Sequence, residues 1–171
     1  MRRRLVLGFL LPLSAIALTG CLRPLYGSAE YGGLSVQEGL AGVEVDIKGE
    51  RLAHYLRNEL EFQLRGGDPK EAPFRYKLVV NAKTATNTAI IDRVAGVAET
   101  ATLALDATYS LTPITGGKVS TDGTARALVS YDRSQQRFAT IRAARDAEIQ
   151  GARQLAEQIR TRIAAYLAAN R

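Results

Sequence analysis

The chain has one cysteine, one histidine and 17 carboxylates from which to build reactive chemistry. Cys21 has no partner for a disulfide within the chain, so its thiol is free, joined to another molecule, or chemically modified. His54 stands among charged neighbours, with no cysteine or clustered carboxylate to complete a metal set and no nucleophile beside it in sequence. A solvated helix position accounts for it. Glu44, Asp46, Asp106 and Asp122 fall at scattered outward strand positions and read as solvated groups rather than as an acid–base pair. Gly66-Gly67 ends a helix and Gly116-Gly117 joins two strands, so neither pair is a phosphate loop leading from a strand into a helix. An enzyme, a metal and a cofactor are therefore not expected. The more telling set is basic: Arg75, Lys77 and Lys83 alternate onto one side of one strand, with Arg93 and Arg126 on neighbouring segments. Such cations could hold an anionic, phosphate-bearing ligand by charge-assisted hydrogen bonds. A solvated sheet face is the competing reading. In the tail, Arg137, Arg142, Arg145, Arg153, Arg160 and Arg162 face only Asp146, Glu148 and Glu157, which reads as a solvated helix face or one that meets an acidic partner.

The surroundings of Cys21 narrow its chemistry. Arg2, Arg3 and Arg4 precede an apolar run from Leu5 to Leu18, closed by the small residues Thr19 and Gly20. A spanning helix needs roughly 20 apolar residues, and this run is shorter and interrupted by Pro12. It reads as an export signal. Leu18-Thr19-Gly20-Cys21 resembles the bacterial lipoprotein box, which implies cleavage before Cys21 and a diacylglycerol on its thiol. The alternative is an ordinary secreted protein whose cleavage site happens to precede a cysteine. More than one acyl chain gives durable attachment. Residue 22 is Leu rather than Asp, so by resemblance to the lipoprotein sorting rule the protein is expected at the outer membrane, facing the periplasm. Loss of residues 1–20 lowers the Lys and Arg total from 23 to 20 against 17 acids, and the net charge from +6 to +3. A weakly basic periplasmic domain is compatible with an anionic ligand, and its location excludes nucleic acid.

The elements that position these residues follow from periodicity. Residues 21–42 are rich in Gly and Ser without a sustained period and are expected to be a flexible tether; residues 43–171 form a single domain. Val43, Val45 and Ile47 alternate with charged residues as in a half-buried strand, and Leu52, Leu56, Leu60 and Leu64 mark an amphipathic helix stopped by Gly66. Three more strands alternate: Phe74 to Ala82, Ala101 to Leu111 and Ala125 to Tyr131 carry apolar residues on one face. They read as a meander. From about Ser134 a long helix is expected, with Phe138, Ile141, Ile149, Ala152, Ala156, Ile159, Ile163 and Leu167 in one apolar stripe. The fold class is α+β, a two-layer α/β sandwich: a four-stranded sheet in the order β-α-β-β-β-α with both helices on one face.

Beyond these patterns, the RPLYG run after Cys21 resembles the start of mature lipopolysaccharide-assembly lipoproteins of the LptE family. Tyr131, Phe138-Ala139, Asp146-Ala147 and Leu155-Ala156-Glu157-Gln158-Ile159 resemble that family's C-terminal pattern, and the middle segment from Ile91 to Leu111 matches in layout. The resemblance implies a non-enzymatic outer-membrane lipoprotein lodged in the lumen of a large β-barrel, the LptD-type lipopolysaccharide transporter. It would assist assembly of that barrel and delivery of lipopolysaccharide to the outer leaflet. Arg75, Lys77, Lys83, Arg93 and Arg126 are then the expected contacts to the lipid's anionic head, from strand alternation and charge rather than from a family motif. The alternative is a stand-alone envelope scaffold or binding lipoprotein that uses the same face for peptidoglycan or an acidic protein.

Overall fold

A computed structural model describes residues 35–66, 73–91, 98–116 and 121–170. Along them run α1 (Val36–Ala41), β1 (Val43–Lys48), α2 (Arg51–Arg65), β2 (Tyr76–Ile91), β3 (Ala98–Pro113), β4 (Thr121–Asp132) and α3 (Arg137–Ala169). The strands form one sheet in the order β1-β2-β3-β4, with β1 parallel to β2 and the remaining pairs antiparallel. A parallel pair needs a crossover connection, and α2 supplies it.

Alternation sorts the strands into two faces. Val43, Val45 and Ile47 on β1, Leu78 and Val80 on β2, Leu103 to Leu111 in steps of two on β3, and Ala125, Ala127 and Val129 on β4 are all buried. They meet Leu52, Leu56, Leu60 and Leu64 of α2 and Leu155, Ile159 and Ile163 of α3 in one core. Both long helices therefore cover the same face, as the sequence predicts. The helix α2 ends where Gly66 turns left-handed at φ 67 and gives its N–H to the Phe62 carbonyl. At 33 residues, α3 is about 50 Å long. Its approach to the sheet is set by Gly151, where a Cβ would stand 1.7 Å from Leu105 Cδ1 and 3.4 Å from Val129 Cγ2. A glycine costs helix propensity, and close packing on the sheet offsets that cost here.

Three local expectations need revision. The tether expected through Gly42 includes α1, whose Val36 and Leu40 are buried. Ser35 and Glu38 form a capping box: the Ser35 hydroxyl accepts the Glu38 N–H at 3.1 Å, and Glu38 Oε2 accepts the Ser35 N–H at 2.8 Å. Two helix-end donors are thereby satisfied. The first of these bonds to the carboxylate, from the Ser35 backbone, holds Glu38 below the usual carboxylate range. The remaining tether residues, 21–34, lie outside the described residues. Phe74, expected in the core, precedes β2 and is exposed, with the Arg65 guanidinium 5.0 Å over its ring. In α3 the stripe is buried only from Ala147 onward; Phe138 and Ile141 are 84% and 45% exposed.

The free edge of β4 is partly closed by α3. The Gln158 amide takes the Arg126 N–H at 3.3 Å and gives its own N–H to the Arg126 carbonyl at 2.9 Å, as a neighbouring strand would. Arg162 adds a bond to the Thr124 carbonyl. Side chains that occupy edge groups discourage pairing with another chain.

Candidate functional site

The uncovered face of the sheet carries most of the residues singled out by charge. Register aligns them in rows across the strands. Lys83 on β2, Asp106 on β3 and Arg126 on β4 lie in one row, with Ala85, Ala104 and Leu128 in the next. Leu128 is 63% exposed. Arg126 Nε donates to Asp106 Oδ1 at 2.5 Å, and Lys77 Nζ stands 3.3 Å from Asp46 Oδ2. Lys77 and Lys83 are six residues apart on one strand, a separation of about 20 Å, so a single phosphate does not bridge them. Arg75 stands exposed just before β2, its N–H bonded to the Gly42 carbonyl at 2.8 Å and its own carbonyl accepting from Ile114 at 2.9 Å. Arg93 and Cys21 lie outside the described residues.

The structure thus brings Lys83 and Arg126 together, keeps Lys77 apart, and interleaves acids among them. Glu44, Asp46, Asp106 and Asp122 share the uncovered face with Lys48, Lys77, Lys83 and Arg126. The face is mixed in charge rather than basic. Surface pairs of this kind contribute about 0–1 kcal/mol each, so they tune a contact surface more than they hold the fold. The pairing was invisible in sequence because alternation assigns a residue to a face, whereas only register assigns it a neighbour.

A cleft of about 540 Å³ opens where β1 ends and β2 continues, lined by Gly49, Arg51, Leu52, Lys83, Thr84 and Glu148 among others. Gly49 forms its floor with φ +143, where a Cβ would meet the Ala82 carbonyl at 2.8 Å. At its side Arg51 Nε and Nη2 grip the buried Glu148 carboxylate at 2.6 and 2.5 Å, stapling the start of α2 to α3. The hydrogen bond to Glu148, and then its charge, hold the Arg51 guanidinium above its ordinary range. Sequence reading placed Glu148 on a solvated face; its role as the acceptor of this staple has no local signature. His54 lies on α2 with Asn58 3.4 Å away. Among the described residues no three His, Cys, Asp or Glu side chains gather into a set that could hold a metal ion.

The second charged region is the start of α3. The Thr140 hydroxyl accepts from the Ser134 N–H at 3.0 Å and donates to the Ser134 carbonyl at 2.9 Å, fixing the turn into the helix. Around it Arg133, Arg137, Arg142 and Arg145 are exposed, and no ion pair holds any of them among the described residues. Asp146, the one acid between residues 133 and 146, accepts the Gln150 amide at 2.7 Å.

The lipopolysaccharide-assembly family model matches residues 40–163, from the end of α1 through most of α3. The chain belongs to the LptE family. Its role is accordingly in lipopolysaccharide assembly, and the family is defined by that role rather than by a reaction. Among solved structures, a Caulobacter crescentus CB15 chain described as a lipoprotein is 26% identical and superposes with a TM-score of 0.64, covering 80% of this chain and 97% of that one. A minor lipoprotein from Acinetobacter baumannii, 16% identical, superposes with a TM-score of 0.50 over 72% of this chain and 91% of that one, and so shares the fold. No curated protein sequence is significantly similar to the chain. Among the described residues no helix is long and apolar enough to cross a membrane.

Proposed function

We propose that this LptE-family chain is exported, lipidated at Cys21 and held on the periplasmic side of the outer membrane. There its sandwich lodges in the lumen of the LptD-type β-barrel lipopolysaccharide transporter, assists assembly of that barrel, and helps pass lipopolysaccharide to the outer leaflet. The observation that carries the reading is the family match over residues 40–163. The physics of the sheet agrees with it. One face is closed by helices, and the other presents a mixed-charge polar surface. The lumen of a large outer-membrane barrel is likewise polar. Arg75, Lys83 and Arg126, with Lys77 and Arg93, are the proposed contacts to the lipid's anionic head; Lys83 has no ion pair among the described residues to displace first.

The test is affinity purification of the tagged full chain from outer membranes solubilised in mild detergent, with mass spectrometry of what accompanies it. A large β-barrel at one-to-one stoichiometry is expected. Recovery of the chain alone, or with a peptidoglycan-linked partner that persists when the barrel is deleted, would move the function to an envelope scaffold. Cys21→Ala is expected to release the chain from membranes of cells lacking the barrel; its retention there would defeat the lipid anchor.

A further inference from the structure

We infer that the end of the domain at which the chain enters from Cys21 faces the bilayer, and that Phe62, Phe74 and Arg65 seat it on the phospholipid headgroup layer beside the anchor. The inference rests on the lipid anchor of the proposed function and goes beyond it by giving the folded domain a membrane contact of its own. Its ligand is bilayer phospholipid, not the transported lipopolysaccharide. None of the three phenylalanines among the described residues is spent on the core, which is filled by Leu, Ile, Val and Ala side chains and Tyr109. Two of the three stand together. On α2 the leucines at 56, 60 and 64 face the core, which puts Phe62 on the outer side of the helix, 65% exposed. It lies one turn before Arg65, whose guanidinium sits 5.0 Å over the ring of Phe74. Ile114, also exposed, is held at the same end of the sheet by its N–H bond of 2.9 Å to the Arg75 carbonyl.

Topology brings the entry of the chain to this end. Because β1 and β2 are parallel, α2 runs back between them and finishes level with the start of both. There the Gly42 carbonyl accepts the Arg75 N–H at 2.8 Å, and Gly66 stands against Gln37 of α1. Gly39 of α1 packs against Leu167 near the end of α3, about 40 Å along that helix from Phe138. Ser35 follows Cys21 by 14 residues, a reach of at most about 50 Å. The acyl chains on Cys21 therefore hold this end, and not the opposite one, nearest the bilayer. That placement selects the occupant. An aromatic ring beside an arginine suits the boundary between headgroups and acyl chains, where the ring enters the apolar layer and the guanidinium stays among phosphates. Arg65 has no ion pair among the described residues to give up. A second copy meeting this one through the same patch would bring two such cations together. A contact next to an anchor also needs little affinity of its own, because its formation is intramolecular.

The chain contains no tryptophan, so Phe74→Trp supplies a single fluorescent reporter, with Leu128→Trp and Phe138→Trp as parallel reporters elsewhere. Each full chain is purified from membranes and reconstituted into vesicles of phosphatidylethanolamine and phosphatidylglycerol, with brominated or ordinary acyl chains. Mass spectrometry of the same samples reads the acyl groups on Cys21 independently. Bromine is expected to lower the emission at position 74 at least ~2-fold, as for a ring at the acyl boundary, and to leave positions 128 and 138 nearly unchanged. Phe62→Ser with Arg65→Glu is expected to reduce that quenching at least ~3-fold, since the apolar contact and the attraction of a cation to an anionic surface are both lost. Unquenched emission at 74 in an acylated chain would overturn the inference and leave the anchor intact. Equal quenching at all three positions would also overturn it, because the domain would then lie on the bilayer with no preferred end. A blue shift at 74 that grows with protein concentration and is blind to bromine would overturn it in favour of a second copy. Quenching at 74 alone in a chain without acyl groups would uphold the contact and remove the anchor.

Discussion

The two parts of α3 have the same secondary structure and opposite surroundings. From Ala147 to Ala164 the helix buries Leu155, Ile159 and Ile163, and Gly151 lets it settle onto Leu105. From Arg137 to Asp146 the stripe continues, but Phe138 and Ile141 are exposed and Arg137, Arg142 and Arg145 flank them. One part holds the fold together. The other is made stable by the first, as a continuous helix needs no new nucleus, and it is left available for contact. Amphipathicity therefore identifies a face that will be covered, without saying whether the cover is the protein's own sheet or something else.

This contrast can be broken at its strongest point first. Gly151→Val should lower stability by about 3 kcal/mol through overpacking against Leu105, read as a fall in the denaturant midpoint with an unchanged slope. A wild-type midpoint would mean that α3 does not press on the sheet there. Arg51→Ala should cost about 1–2 kcal/mol, because it strands a buried carboxylate whose partner is itself more than half exposed. At the projecting end, Phe138→Ser with Ile141→Ser should change stability by no more than about 0.5 kcal/mol, the range of exposed substitutions. A loss like that at Gly151 would show that the two ends are packed alike.

The capping box at α1 adds a dependence on pH. Glu38 is depressed in the folded state, so its contribution is present above the ordinary carboxylate range and is lost as pH falls through the folded value. Amide protection of α1 should accordingly drop on acidification before that of α2 or the sheet. Equal loss in all three would mean that the cap does not govern how α1 is held.

Much of the architecture was legible because period and burial coincide: the alternating strands, the Leu52 to Leu64 face and the Leu155 to Ile163 stripe all fall where the sequence puts them. The short helix α1 was missed because six residues hold too little period to read. Its signal was the Ser35-x-x-Glu38 box. The candidate site was less legible. Alternation put Lys77, Lys83 and Arg126 on the open face, but the pairing of Arg126 with Asp106 and of Lys77 with Asp46 depends on register. The Arg51–Glu148 staple joins residues 97 apart, and the Gln158 bonds to β4 arise only once α3 is docked. Such contacts are products of tertiary structure, and no local pattern encodes them.

Hydrogen exchange along α3 in the purified full chain tests the division of this helix most directly. Amides from Ala147 to Ala164 should exchange only on global unfolding, and those from Phe138 to Asp146 orders of magnitude sooner, by local fraying. Equal, slow exchange along the whole helix would contradict the account, because it would mean that the projecting end is already covered by the protein's own fold.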